Sequence, residues 1–118
     1  MNVELEFNKR LNGFTGTEGY WRTCMFAPKL VHTDGVQYFA EHAGAHWFLD
    51  IIGTEFFKGF ADDFLSITLV SKDGMACITV TDGNESDLRT KDIDFTDCPE
   101  GIYKFFLTNN VLMLTSEY

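Results

Sequence analysis

His42 and His46 stand four residues apart in YFAEHAGAHWFLDII, residues 38–52, and Asp50 stands four beyond them. On a helix, positions i, i+4 and i+8 fall near one line, so two imidazoles and a carboxylate there can converge on a divalent transition metal. A small metal-assisted enzyme centred on His42, His46 and Asp50 is therefore one function open to this chain. Against it, Glu41 precedes the histidine pair instead of lying inside it, so there is no H-E-x-x-H. Nothing in the sequence specifies the second partner that orients a ligating imidazole either. Both histidines are better explained as amphipathic cover on the flank of an apolar helix stripe, beside Phe39. No metal and no cofactor is expected.

Other catalytic arrangements are weaker still. Cys24, Cys77 and Cys98 are odd in number and have no C-x-x-C spacing, which argues against a disulfide framework and a zinc ribbon. Cys77, inside MACITV, has the setting of a small buried hydrophobe. A nucleophilic thiol would need an imidazole brought to it in space by His32, His42 or His46. Gly13, Gly16 and Gly19 are spaced as G-x-x-G-x-x-G, which matches neither a P-loop nor a dinucleotide fingerprint. There is no G-x-S-x-G elbow. The carboxylate pairs Asp62 with Asp63 and Asp92 with Asp94 lack the apolar setting that raises one pKa for general acid work.

Charge is more informative. With 18 acidic and 9 basic residues the net charge is -9, which disfavours direct binding to a nucleic-acid backbone. Asp82, Glu85, Asp87, Asp92, Asp94, Asp97 and Glu100 face only Arg89 and Lys91 over 82–100, a local balance of 2 − 7 = −5. Such a segment either keeps a solvated edge soluble or offers a docking face to a basic partner. Phe56, Phe57 and Phe60, in TEFFKGF, are a second candidate surface, an aromatic patch that either caps the core or stays exposed.

These residues need a scaffold. The 118 residues are read as one domain, 1–118, with 45% hydrophobic and 15% aromatic residues, enough apolar material to fold without a metal or disulfide. There is no run of 18 apolar residues, and MNVELEFNKR is charged from its fourth residue, so neither a membrane span nor a secretory signal is expected and the location is cytoplasmic. A short N-terminal helix is expected within 2–12. An irregular loop follows, pinned by Phe14, Tyr20 and Trp21. Thr33 and Asp34 cap one long helix, 34–52, ended by Gly53, with Val36, Ala40, Ala43, Trp47 and Ile51 as its core stripe. From residue 64 the period becomes two. A hairpin turns at Lys72-Asp73-Gly74, a further strand lies near 88–96, and two more runs join across Asn109-Asn110. The expected fold class is α+β, one long helix packed on an antiparallel sheet of about five strands.

FTGTEGYWR, TDGVQYFAEHAGAHWFLDIIG, FTDCP and the terminal VLMLTSEY together resemble an uncharacterised domain-of-unknown-function family of small bacterial and phage-borne proteins. Its pattern runs TEGYYRH, YTDGVxYLAExAGAYWLLDxI, a strand-rich middle, YTDFP and VLLLPSEY. The likeness spans nearly the whole chain in order. Thr23 stands where the pattern has His, His46 where it has Tyr, Cys98 where it has Phe and Thr115 where it has Pro. The resemblance implies a compact domain often carried by phages and mobile elements, and no activity. The expected function is a non-enzymatic accessory protein that binds a host protein with a basic surface through its acidic and aromatic faces. That expectation extends to inhibition of a nucleic-acid-handling defence system such as a CRISPR effector, without direct nucleic-acid or membrane binding.

Overall fold

The computed structural model of the chain describes residues 9–11, 13–17, 19–24, 27–56, 64–81 and 87–118. Among these, seven strands form one sheet: β1 (Tyr20–Cys24), β2 (Ala27–Thr33), β3 (Phe64–Lys72), β4 (Met75–Thr81), β5 (Asp87–Ile93), β6 (Gly101–Thr108) and β7 (Val111–Leu114). Their spatial order is β1-β2-β7-β6-β3-β4-β5. β2 and β7 run parallel, and every other neighbouring pair is antiparallel. Two helices, α1 (Asp34–Ala43) and α2 (His46–Ile51), follow β2, and a π-helical turn, Ile52–Phe56, continues α2. A 3₁₀ turn, Thr115–Glu117, ends the chain beside the sheet.

Alternating side chains decide which face of the sheet is buried. Leu65, Ile67 and Leu69 of β3 lie in register with Leu107, Phe105 and Tyr103 of β6, and Ile67 and Leu69 with Val80 and Ile78 of β4. All are buried, and the helices pack on this inner face. Phe39 of α1 and Phe48 of α2 meet over Phe105, with ring centroids 5.2 and 4.8 Å from it and 5.9 Å from each other. Each such ring, taken out of water, stabilises the fold by roughly 1.5–3 kcal/mol. The two tight hairpins depend on left-handed backbone, supplied by Asp73 (φ 55°) with Gly74 (φ 77°) and by Asn109 (φ 51°) with Asn110 (φ 66°).

The expected architecture, an α+β domain with one long helix on about five antiparallel strands, is overturned. The sheet has seven strands and is mixed, and the longer described helix has 10 residues. The stretch 34–52 breaks because Gly44 takes the left-handed conformation (φ 63°, ψ 36°), with its N–H and that of Ala45 both turned back to the Ala40 carbonyl. Helix resumes at His46 and then widens into the π-helical turn, with Thr54 Oγ1 bonding back to the Asp50 carbonyl at 2.7 Å. The expected loop before β2 instead supplies a strand, β1, at one edge. Phe14 does pack against Tyr38, at 5.4 Å, whereas Tyr20 is exposed. Of the expected N-terminal helix, residues 9–11 are helical and 2–8 and 12 lie outside the described residues. No described helix is long and apolar enough to cross a membrane.

Candidate functional site

Three polar constellations are candidates, and the first surrounds the start of α1. A helix N-terminus presents unpaired amides and a positive dipole end, which attract a carboxylate. Here the chain supplies its own. Glu117 accepts from Thr33 Oγ1 at 2.6 Å, from the Gly35 amide at 3.2 Å and from the Leu114 amide at 3.1 Å. Beside it the Asp34 amide donates to Thr17 Oγ1 (2.9 Å), Thr17 donates to the Gly19 carbonyl (2.6 Å) and Trp21 Nε1 donates to Asp34 Oδ1 (3.0 Å). A Cβ on Gly35 would lie 2.5 Å from Glu117 Oε1 and 2.7 Å from Leu114 Cδ1. The anion site is filled from within, so it holds the fold together.

The second constellation is a buried relay. His32, on the inner face of β2, bonds through Nδ1 to Thr23 Oγ1 of β1 (2.9 Å) and through Nε2 to Gln37 Oε1 (2.6 Å). Gln37 Nε2 in turn donates to Glu41 Oε1 at 2.6 Å, which makes Gln37 Oε1 the acceptor toward His32. The imidazole therefore carries its proton on Nε2, and Nδ1 accepts from Thr23. Burial holds His32 below the ordinary histidine value and the charge of His46 adds to this, against the opposing hydrogen bond to Gln37. A hydroxyl on an imidazole resembles a nucleophile with its base. Both Thr23 and His32 are buried, however, so the pair serves to satisfy polar groups under the helix.

The ligands of the alternative metal reading do not form a metal site among the described residues. His42, His46 and Asp50 are all exposed, and the His42 ring stacks on Tyr38 with centroids 4.0 Å apart. The helix breaks at Gly44, between His42 and His46, so the two do not stand one turn apart on a continuous helix. Among the described residues no group of three or more His, Cys, Asp or Glu could hold a metal ion.

The third constellation is the β5 end of the outer sheet face. Asp92 in β5, and Asp94 and Asp97 just after it, are exposed. Asp87 opens β5 with its side chain outside the description, and Asp82 and Glu85 lie outside the described residues. Of the expected aromatic patch, Phe56 ends the π-helical turn with its side chain outside the description, and Phe57 and Phe60 lie outside the described residues. Different apolar side chains stand beside the acids. Val70 (38% exposed), Met75 (53%) and Ile102 (62%) share the outer face, and Phe95 (77%) projects just beyond β5. Val70 pairs with both Cys77 and Ile102, so these side chains adjoin.

A cleft of about 370 Å³ runs between Val70, Lys72, Met75, Cys77, Asp92 and Asp94. Cys77 lies beside Asp92 in the strand register, and desolvation first, then the neighbouring Asp92 carboxylate, pushes its thiol up. The loop after β5 is pinned to the β3–β4 hairpin. The Thr96 amide donates to the Gly74 carbonyl (2.8 Å), Ser71 Oγ to the Cys98 carbonyl (2.9 Å), the Asp73 amide to Glu100 (3.1 Å) and Tyr103 OH to the Pro99 carbonyl (2.6 Å). Phe95 and Asp97 are thus held outward on fixed backbone. On the inner face of β5, Lys91 (2.8 Å) and Arg89 (3.5 Å) close on Glu55 of the π-helical turn. Sequence reasoning missed Val70, Met75 and Ile102; apolar residues at both parities of the β3, β4 and β6 runs signal only that some must face outward, not which.

A family model described as a family of unknown function (DUF6876) matches residues 5–118, and the chain belongs to that family. No curated protein and no solved structure matches it.

Proposed function

We propose that this member of a family of unknown function is a non-enzymatic binding module, acting in the cytoplasm, that takes a partner protein with a basic surface on the β5 end of its outer sheet face. The observation that carries this is the meeting of exposed apolar side chains, Val70, Met75 and Ile102, with the exposed carboxylates Asp92 and Asp94 on the outer face, next to a backbone-pinned loop that exposes Phe95 and Asp97. An apolar centre with a charged rim is the usual anatomy of a protein interface, and a rim of one sign steers the approach of a partner of the other. A partner whose own ligand is nucleic acid presents such a basic surface, and the acidic edge would compete with that ligand. A phage or mobile-element accessory protein that inhibits a nucleic-acid-handling defence effector, of the CRISPR kind, is the setting that fits.

The test compares capture from host lysate by three forms of the protein: the wild type, Asp92→Lys/Asp94→Lys/Asp97→Lys, and Met75→Ser/Ile102→Ser. Retention of the same partner by the wild type alone supports the proposal. Equal retention by the charge-reversed form overturns it.

A further inference from the structure

Both ends of the sheet are edges, and on the outer face their charges are opposite. β1 pairs only with β2 and β5 only with β4 among the described residues, so each presents a second row of backbone amides and carbonyls. At the β1 edge the outer face carries Arg22 and, on β2, Lys29, both exposed and with no ion pair among the described residues. At the β5 edge the outer face carries Asp92, followed by Asp94.

The pairing register fixes these faces. Arg22 aligns through Val31, Val111, Thr108 and Phe64 with the outer row of β3, which Asp92 joins through Cys77 and Val70. Trp21 aligns through His32 and Leu112 with the inner row, which Lys91 and Ile93 join through Ile78 and Ala76. Directions are fixed as well. From β1 to β5 the order passes five antiparallel pairings and one parallel pairing, so β5 runs opposite to β1. A second copy laid edge to edge, with its helices on the same side, would therefore bring its β1 antiparallel to β5 of the first.

We propose that copies of this chain associate head to tail, β1 of one pairing with β5 of the next. With Arg22 opposite Asp92, antiparallel register sets Trp21 beside Ile93 on the inner face and Tyr20 beside Asp94 on the outer face. Opposite charges and aromatic–aliphatic neighbours stabilise cross-strand pairs, and Trp21 and Tyr20 are 47% and 63% exposed in the single chain. Two-fold pairing of β5 with itself is disfavoured: centred on Thr90 it sets Arg89 against Lys91, and centred on Lys91 it sets that lysine against itself. The contact is heterologous, so it extends into open rows of copies instead of closing as a dimer. This goes beyond the partner-binding proposal, because it needs no other molecule.

Sedimentation velocity of the purified chain across a wide concentration series tests it with three variants. The wild type associates reversibly. Arg22→Glu and Asp92→Lys, each on an exposed residue, lower the association constant about tenfold or more. Mixing the two single variants restores association, because the intact β5 edge of the first meets the intact β1 edge of the second and the two altered edges meet as the reversed pair. The double variant keeps the net charge at -9 and associates again through the reversed pair. Circular dichroism melting checks that every variant folds. A wild type that stays monomeric throughout, single variants that associate like the wild type, or a mixture no larger than its components overturns the proposal. Partner capture from lysate would be unaffected by that failure.

Discussion

Glu117 closes its carboxylate over the amide of Gly35, 82 residues earlier in the chain and 3.2 Å away. One contact thus locks the C-terminal turn onto the first turn of α1, and it explains why a glycine stands there. Glu117→Ala is expected to cost about 1–3 kcal/mol in urea unfolding, since three donors to a charged acceptor lose their partner. Gly35→Ala is expected to be costly alone, because its Cβ displaces Glu117 and Leu114. Its cost should fall when Glu117→Ala is already present. Additive costs in that double-mutant cycle would sink this account of the lock.

The sheet order predicts how the C-terminus behaves. β7 lies between β2 and β6, with Leu112 and Leu114 buried. Deleting residues 111–118 removes a central strand and the Glu117 cap together, and is expected to unfold the protein. Circular dichroism of the truncated chain decides it: a cooperative melt at the wild-type temperature would show that the tail is dispensable.

His32 gives a pH prediction. Its folded pKa lies below 6.5, so the unfolded chain takes up the proton first, and the stability held by neutral His32 is complete above 6.5 and declines as pH falls below it. Urea midpoints measured from pH 8 downward should drop through this window more steeply in wild type than in His32→Gln. Parallel slopes would mean that His32 titrates alike in both states.

Thiol chemistry offers a simpler check. Burial pushes Cys98 to about 11, with the nearby Tyr103 and Ser71 hydroxyls acting weakly in the opposite sense. In the native protein Cys98 is expected to resist iodoacetamide at neutral pH and to react once urea is added. Rapid native labelling of Cys98, mapped by mass spectrometry, would contradict its burial.

The parts of the fold legible in the sequence are those fixed by local rules. The β3–β4 and β6–β7 hairpins follow from period-two runs around Asp73-Gly74 and Asn109-Asn110, whose backbone is left-handed as such turns require. The break at Gly44 was hidden because apolar residues continue through it and Gly53 offered a later stop. β1 was hidden among the glycines of FTGTEGYWR, and the parallel β2–β7 pair joins segments 80 residues apart that no local pattern links. For the site, counting charge located Asp92, Asp94 and Asp97. It could not show that Val70 and Ile102 face outward beside them, since either parity of an apolar strand serves equally well as core. His32 looked incidental in LVHTDG because its partners, Thr23 and Gln37, are set by the β1–β2 register and the start of α1.

The most direct test of the binding proposal is the association rate of the captured partner at two salt concentrations. With Asp92, Asp94 and Asp97 at the rim, the wild-type on-rate should fall markedly as salt rises past physiological strength, where the screening length is about 8 Å. The Asp92→Lys/Asp94→Lys/Asp97→Lys form should bind slowly at both concentrations, and Met75→Ser/Ile102→Ser should dissociate faster while keeping the wild-type salt dependence. An on-rate indifferent to salt and unchanged by the three charge reversals would contradict docking through the β5 face.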